Sequence, residues 1–284
     1  MGTLFVSDLD GTLLRNDATL SEFSKDQLNE LLRSGMVFTV ASARSVIAMA
    51  CMLKGLNLTL PVVEFNGAFI SDLRTGWHRI VNSIDSVLAE DIYCLVKRFG
   101  CVPFVSTFNG KEDRVYYCDI INGGMRWYLE DRLANQDKRW RKTDSLANSL
   151  RDQVVCFTVI GEPGVLSELE SAVQERHGGK VVTSVFENQY SRGWYWLTVF
   201  DWRATKDRAI RLLMDTHGLS EHRLVVFGDH NNDIRMFQTA DWAVAVANAT
   251  PELKRYASEI IGSNEDDSVV KYLLDRDRDV QADL

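Results

Sequence analysis

No stretch of this 284-residue sequence is apolar for long enough to cross a bilayer, and its start has no basic segment leading into an apolar signal core. A membrane partner is therefore not expected. The composition, 45% hydrophobic and 25% charged, is that of a soluble globular protein of the cytoplasm. The five cysteines (Cys51, Cys94, Cys101, Cys118 and Cys156) are odd in number and include no CxxC pair, which argues against a disulfide framework or a zinc site. Basic residues are in deficit. Lys and Arg number 32 against 40 Asp and Glu, and the net charge of −8 argues against general nucleic-acid binding. A local basic pocket for an anion is still compatible with that balance. Low-complexity linkers and convincing repeats are missing too, and the length suits one large domain or two ordinary ones.

What is present is an organising stretch at the start, Thr3-Leu4-Phe5-Val6-Ser7-Asp8-Leu9-Asp10-Gly11-Thr12-Leu13-Leu14. An apolar run of strand length ends in two carboxylates and a Gly-Thr turn. If the strand stays extended, Asp8 and Asp10 share one side. Two such carboxylates repel, and a hard cation such as Mg²⁺ relieves them most cheaply. Taken alone, the stretch is equally an ordinary strand end with an Asp-Gly turn.

The chain continues as alternating helix and strand. Ser21 or Ser24 can cap a helix that reaches Arg33 and stops at Gly35; a buried strand spans Met36–Ala41 and runs into Ser42-Ala43-Arg44. A helix over about Ser45–Lys54 and a third strand at Pro61–Phe65 follow, before Asn66-Gly67. This alternation predicts a parallel sheet with right-handed crossovers and ligands at the carboxyl ends of its strands. Between about Trp77 and Tyr195 the pattern becomes that of an α+β module with its own sheet. Its helices are expected near 86–99, 122–133 and 165–177, and its strands near 102–107, 115–119, 154–160 and 180–186. The first pattern then resumes with a helix at Asp207–His217, a strand at Leu224–Phe227 ending in Gly228-Asp229-His230-Asn231-Asn232-Asp233, a strand at Trp242–Val246 and a helix at Ser268–Leu274. The charged tail from Asp275 is expected to be loosely held.

The order DLDGTLL, ASAR, TK and GDHNNDIRMF resembles the four motifs of the haloacid-dehalogenase superfamily, with FNGA at 65–68 and AVAVANATPELK at 243–254 as further matches. The insertion between the second and third motifs resembles the large α/β cap of the Cof-like sugar-phosphatase branch. The resemblance implies a doubly wound, mostly parallel Rossmann-like α/β core over 1–80 plus 196–284, with an inserted α+β cap over 81–195. It implies a phosphatase that hydrolyses small phosphate esters, sugar phosphates among them, through an aspartyl-phosphate. Asp8 is then the nucleophile, Asp10 the acid and base, and Lys206 a positive charge for phosphate and carboxylates. Mg²⁺ falls to the Asp8 carboxylate, the Asp10 backbone carbonyl and Asp229, with Asp233 anchoring metal-bound water. Ser42, the amide of Ala43, Arg44, Lys206 and Asn232 are the candidate phosphate and substrate contacts, with a structural salt bridge an equal alternative for Arg44.

Ala43, Asp207 and His230 each stand where the family usually has Gly, yet none removes a catalytic group. Two other functions fit the same motifs: a sugar-phosphate mutase, which returns the phosphoryl group to another hydroxyl, and a regulatory binding protein that responds to phosphate. Trp194-Tyr195-Trp196 near Tyr190 invites a sugar-stacking reading, but alternating aromatics on a strand are more often packing residues. Arg126 and Trp127 are read with the same caution. The motifs assign no oligomeric state.

Overall fold

A computed structural model describes residues 2–134, 136–188 and 191–282. In chain order the strands are β1 (Thr3–Ser7), β2 (Val37–Val40), β3 (Val62–Glu64), β4 (Phe69–Ser71), β5 (His78–Val81), β6 (Pro103–Phe108), β7 (Asp113–Tyr117), β8 (Trp140–Lys142), β9 (Gln153–Gly161), β10 (Val181–Glu187), β11 (Tyr195–Asp201), β12 (Arg223–Gly228), β13 (Trp242–Ala245) and β14 (Glu259–Ile260). They divide between two compact units, one made of residues up to Val81 and from Ala204, the other of Asn82–Arg203.

The first unit is built on the parallel sheet β14-β13-β12-β1-β2. Strand β1 is buried from Leu4 to Ser7, as befits a central parallel strand covered on both faces. Its helices start where the sequence offers caps. Ser21 Oγ accepts the Ser24 amide at 2.9 Å to open helix Glu22–Arg33, which buries Leu28 and Leu31. Helix Lys206–Thr216 buries Ala209, Ile210, Leu213 and Met214 at helical spacing. This is the mixed α/β architecture with a parallel core that the alternation predicts.

Two local expectations change. Strand β3 does not extend the parallel ladder beyond one bridge between Ala41 and Val63; it pairs antiparallel with β4, and β4 with β5, in a separate three-stranded sheet. The cause is the tight Phe65–Gly67 turn, which sends the chain straight back along β3. The tail beyond Asp275 is helical, the end of helix Ser268–Ala282, whose buried Val269, Val270 and Leu273 all precede it.

The second unit has a six-stranded sheet in the order β10-β11-β9-β6-β7-β8, antiparallel throughout except for β7 with β8. Helices Ser86–Arg98, Gly123–Ala134 and Pro163–His177 accompany it. Its boundary lies past residue 195: β11 pairs with both β9 and β10, so the unit keeps the chain until Arg203. Part of its interior is aromatic. Phe104, Tyr128 and Trp140 meet edge to face with centroids 5.2–5.4 Å apart, and Trp196 meets Tyr128 at 6.0 Å. Trp196 is thus a packing residue, 3% exposed, with Trp127 against it. Tyr190 lies outside the described residues. Among the described residues no helix is long and apolar enough to cross a membrane.

Candidate active site

The site begins where β1 stops. The Asp8 amide still donates to the Phe227 carbonyl at 3.0 Å, so the β1–β12 ladder delivers the first carboxylate at a strand exit. The strand itself ends at Ser7, and the next residues turn, with Gly11 at φ +71. A side chain on Gly11 would run into the Asp229 carboxylate, so the turn needs both the left-handed backbone and the missing Cβ. Past this turn the Asp10 carboxylate is not among those that converge on Asp8. The carboxylates that converge on Asp8 are Asp229 and Asp233, with one oxygen of each of the three within 4.8 Å of the others.

Lys206 ties two of them together. Its Nζ donates to Asp8 Oδ1 and Asp233 Oδ1, both at 2.7 Å, and all three side chains are buried. Asp233 is held from behind: its Oδ2 accepts the amides of Asp229 at 3.1 Å and His230 at 3.2 Å. Thr12 donates its hydroxyl to Asp229 Oδ1 at 3.1 Å. Burial, and then the neighbouring Asp233, push the Asp8 carboxyl up to about 8 against the pull of Lys206. Burial and Asp233 likewise raise Asp229, while the Thr12 hydroxyl works the other way. Burial works against the charged Lys206, but Asp233 and Asp8 outweigh it and hold its pKa above the usual lysine range. One ammonium among three carboxylates leaves the cluster short of positive charge. Oxygen-only donors with that deficit fit a hard divalent cation.

Asp10 is occupied elsewhere. Its carboxylate takes a bidentate pair from Arg44, Nε to Oδ2 and Nη2 to Oδ1, both 2.7 Å, and is about half exposed. Ser42 is buried, and its Oγ accepts the Arg44 amide at 3.2 Å; Ala43 beside it is exposed. Asn232 is exposed and reaches Asn66 Oδ1 at 3.4 Å. The geometry therefore gathers Asp8, Lys206, Asp229 and Asp233 into one cluster. A second group is formed by Asp10, Ser42 and Arg44.

Over residues 5–273 the sequence matches the family of haloacid dehalogenase-like hydrolases. The chain belongs to that family. This haloacid dehalogenase-like hydrolase is 22% identical to the 5-amino-6-(5-phospho-D-ribitylamino)uracil phosphatase YitU of Bacillus subtilis, over 95% of its own length and 96% of the relative's. It is 24% identical to the pyridoxal phosphate phosphatase YbhA of Escherichia coli, over 94% of this chain and 95% of that one. The crystal structure of TM0651 from Thermotoga maritima superposes with a TM-score of 0.76 at 26% identity and covers 97% of both chains. As an enzyme the hydrolase is a phosphatase, the class for which its curated relatives are named.

Several site contacts escape motif reading. Thr12 sits inside DLDGTLL, yet nothing in the sequence pairs it with Asp229 across the fold. Asn248, inside AVAVANATPELK, donates to the Gly11 carbonyl at 2.7 Å and accepts the Asn264 amide at 3.0 Å, which steadies the turn of the hydrolase's first motif. Glu64 offers one signal, a lone acid closing an apolar strand.

Proposed function

We propose that the enzyme is a Mg²⁺-dependent phosphatase of small phosphorylated metabolites, sugar phosphates among them, and that Asp8 carries the phosphoryl group between two displacements. The observation that supports this most is Lys206 bridging Asp8 and Asp233 at 2.7 Å inside a cluster completed by Asp229. Lys206 leaves one Asp8 oxygen as the attacking atom and aims it by holding the other. Asp8, Asp229 and the Asp10 carbonyl would hold the Mg²⁺, with Asp233 behind them. When bound, the cation neutralises charge on the transferred phosphoryl group and keeps Asp8 ionised.

In the first displacement an Asp8 oxygen forms a bond to phosphorus as the ester P–O bond breaks, and the departing oxygen takes a proton from Asp10. In the second, Asp10 takes a proton from water; the water oxygen bonds to phosphorus and the Asp8–phosphorus bond breaks, releasing inorganic phosphate. In the resting structure the Arg44 fork occupies both Asp10 oxygens. Protonation for the first displacement requires that pair to open as substrate enters. Ser42, the Ala43 amide, Arg44 and Asn232 orient the phosphate oxygens.

The substrates in the names of YitU and YbhA are small phosphorylated molecules, which supports the metabolite class. A phosphate-release panel of sugar phosphates, phosphorylated cofactors and nucleotides, run with Mg²⁺ and with chelator, tests it. Mg²⁺-dependent release from sugar phosphates is expected. Release unaffected by chelation, or none from any ester, rejects the reading.

A further inference from the structure

The first unit holds a second set of buried polar side chains that takes no part in these steps. Glu64 closes β3 and Ser71 closes β4, both fully buried, and His78 opens β5 at 8% exposure. Ser71 lies opposite His78 in the β4–β5 register. Glu64 Oε1 accepts from the Ser71 hydroxyl and lies 3.0 Å from His78 Nδ1, which is itself 2.7 Å from Ser71 Oγ. The His78 ring stacks on Phe69 with centroids 4.2 Å apart. The other carboxylate oxygen, Oε2, accepts the Val46 amide at 2.5 Å. A fully buried carboxylate is costly unless its oxygens are engaged, and both oxygens of Glu64 are.

What the carboxylate fastens is the segment that ends at Val46. The Ser42 amide donates to the Val63 carbonyl at 2.9 Å, the Asn66 amide to the Ser42 carbonyl at 2.9 Å and the Phe65 amide to the Arg44 carbonyl at 3.2 Å. Phe65 and Asn66 make these bonds with φ of +48° and +54°, a left-handed backbone that phenylalanine adopts only where its surroundings dictate it. Gly67 follows at φ +108°, and a Cβ there would lie 2.6 Å from the carbonyl oxygen of Thr205, next to Lys206. Glu64 thus leads into the strained turn through its backbone and clamps the opposing segment through its side chain. From that segment the Arg44 guanidinium reaches Asp10.

We infer that Glu64, braced by Ser71 and His78, is a positioning residue that fixes Ser42–Arg44 so that Arg44 meets Asp10 in register. The inference rests on the phosphatase reading above. Glu64 acts through the Val46 amide and Arg44 rather than on the phosphoryl group. A purely structural Glu64 would alter stability and leave the chemistry of folded enzyme untouched.

The test compares Glu64→Met and Glu64→Gln with wild type in the full chain, using p-nitrophenyl phosphate and saturating Mg²⁺. Glu64→Met leaves the Val46 amide and the Ser71 hydroxyl without their acceptor and should lower the melting temperature; per folded molecule it should also lose about 10–100-fold in kcat, the scale of a misplaced catalytic group. Glu64→Gln, which keeps an acceptor for the Val46 amide, should recover part of that loss. Added to Asp10→Asn, either substitution should cost less than about twofold more, because both act through one pair. Folded variants with kcat within about twofold of wild type, or a full multiplicative loss on top of Asp10→Asn, overturn the inference. If Glu64→Met does not fold, the Glu64→Gln arm makes the same comparison. If wild type releases no phosphate, the phosphatase reading fails separately. A crystal structure of Glu64→Gln then decides: an opened Arg44–Asp10 pair supports the positioning role, and a pair kept at 2.7 Å rejects it.

Discussion

Among the described residues, the unit built on β1 buries the charged side chains of Asp8, Glu64, Lys206 and Asp233, whereas the unit from Asn82 to Arg203 buries only Asp201 among its charged groups. Asp201 is answered directly by Arg203, Nε to Oδ1 at 2.6 Å. The second interior is instead filled by aliphatic side chains and by the rings of Phe104, Tyr128, Trp140 and Trp196. Buried charge is expensive and apolar packing is not, so the two units differ in what their interiors do. One concentrates electrostatic work at the end of a parallel sheet. The other is packed by apolar and aromatic side chains. Polar substitutions should therefore strike turnover in the first unit, and packing substitutions should strike stability in the second.

The largest expected effect breaks the first half of that contrast. Asp8→Asn keeps the shape of the side chain but removes the attacking oxygen's charge, and steady-state phosphate release should fall by about 10⁴-fold or more with the fold intact by circular dichroism. Near-wild-type turnover in a clean preparation would remove Asp8 from the mechanism. Chelation comes next. Removing divalent metal should suppress turnover and Mg²⁺ should restore it, while Asp229→Ala should raise the Mg²⁺ concentration for half-maximal rate by more than about tenfold. An unchanged Mg²⁺ titration in that variant would show that Asp229 is not a ligand.

The third prediction sharpens the contrast from the other side. Trp196→Ala should destabilise the protein by about 3–5 kcal/mol in denaturant unfolding, because it empties an interior site that other rings cannot refill. Its kcat on p-nitrophenyl phosphate, per folded molecule, should stay within about twofold of wild type. A collapse of kcat without loss of stability would place chemistry in the second interior. The smallest effect is expected for Arg126→Ala, an exposed side chain on helix Gly123–Ala134. Stability should move by no more than about 0.5 kcal/mol, and kcat on p-nitrophenyl phosphate should stay within about twofold of wild type. A loss of stability above about 1 kcal/mol would contradict the reading of Arg126 as a solvated side chain.

Much of this division was legible in the order of residues. Strand β1 announces itself by an unbroken apolar run, and Asp8, Lys206, Asp229 and Asp233 lie in motifs whose order outweighs the weakness of each. Period-2 reasoning places Asp8 and Asp10 on one side only if the strand stays extended, and it stops at Ser7. The Arg44–Asp10 pair joins residues 34 positions apart, and Thr12–Asp229 joins residues 217 apart; no local pattern encodes either. One acid at the end of a strand looks like a solvated terminus until its burial is known, as for Glu64. Strand β11 has an alternating pattern that fits either sheet, and only its pairing with β9 and β10 assigns it.

The central claim is that Asp8 carries the phosphoryl group, and mass spectrometry of enzyme quenched in acid during turnover tests it most directly. Rapid mixing of wild type with Mg²⁺ and a sugar phosphate, followed by quenching and peptide mapping, should place the mass of one phosphoryl group on the peptide containing Asp8, with fragment ions locating it on that residue. The Asp8→Asn variant should carry none. A phosphoryl group on any other residue, or full turnover with no adduct in the pre-steady state, would contradict the account.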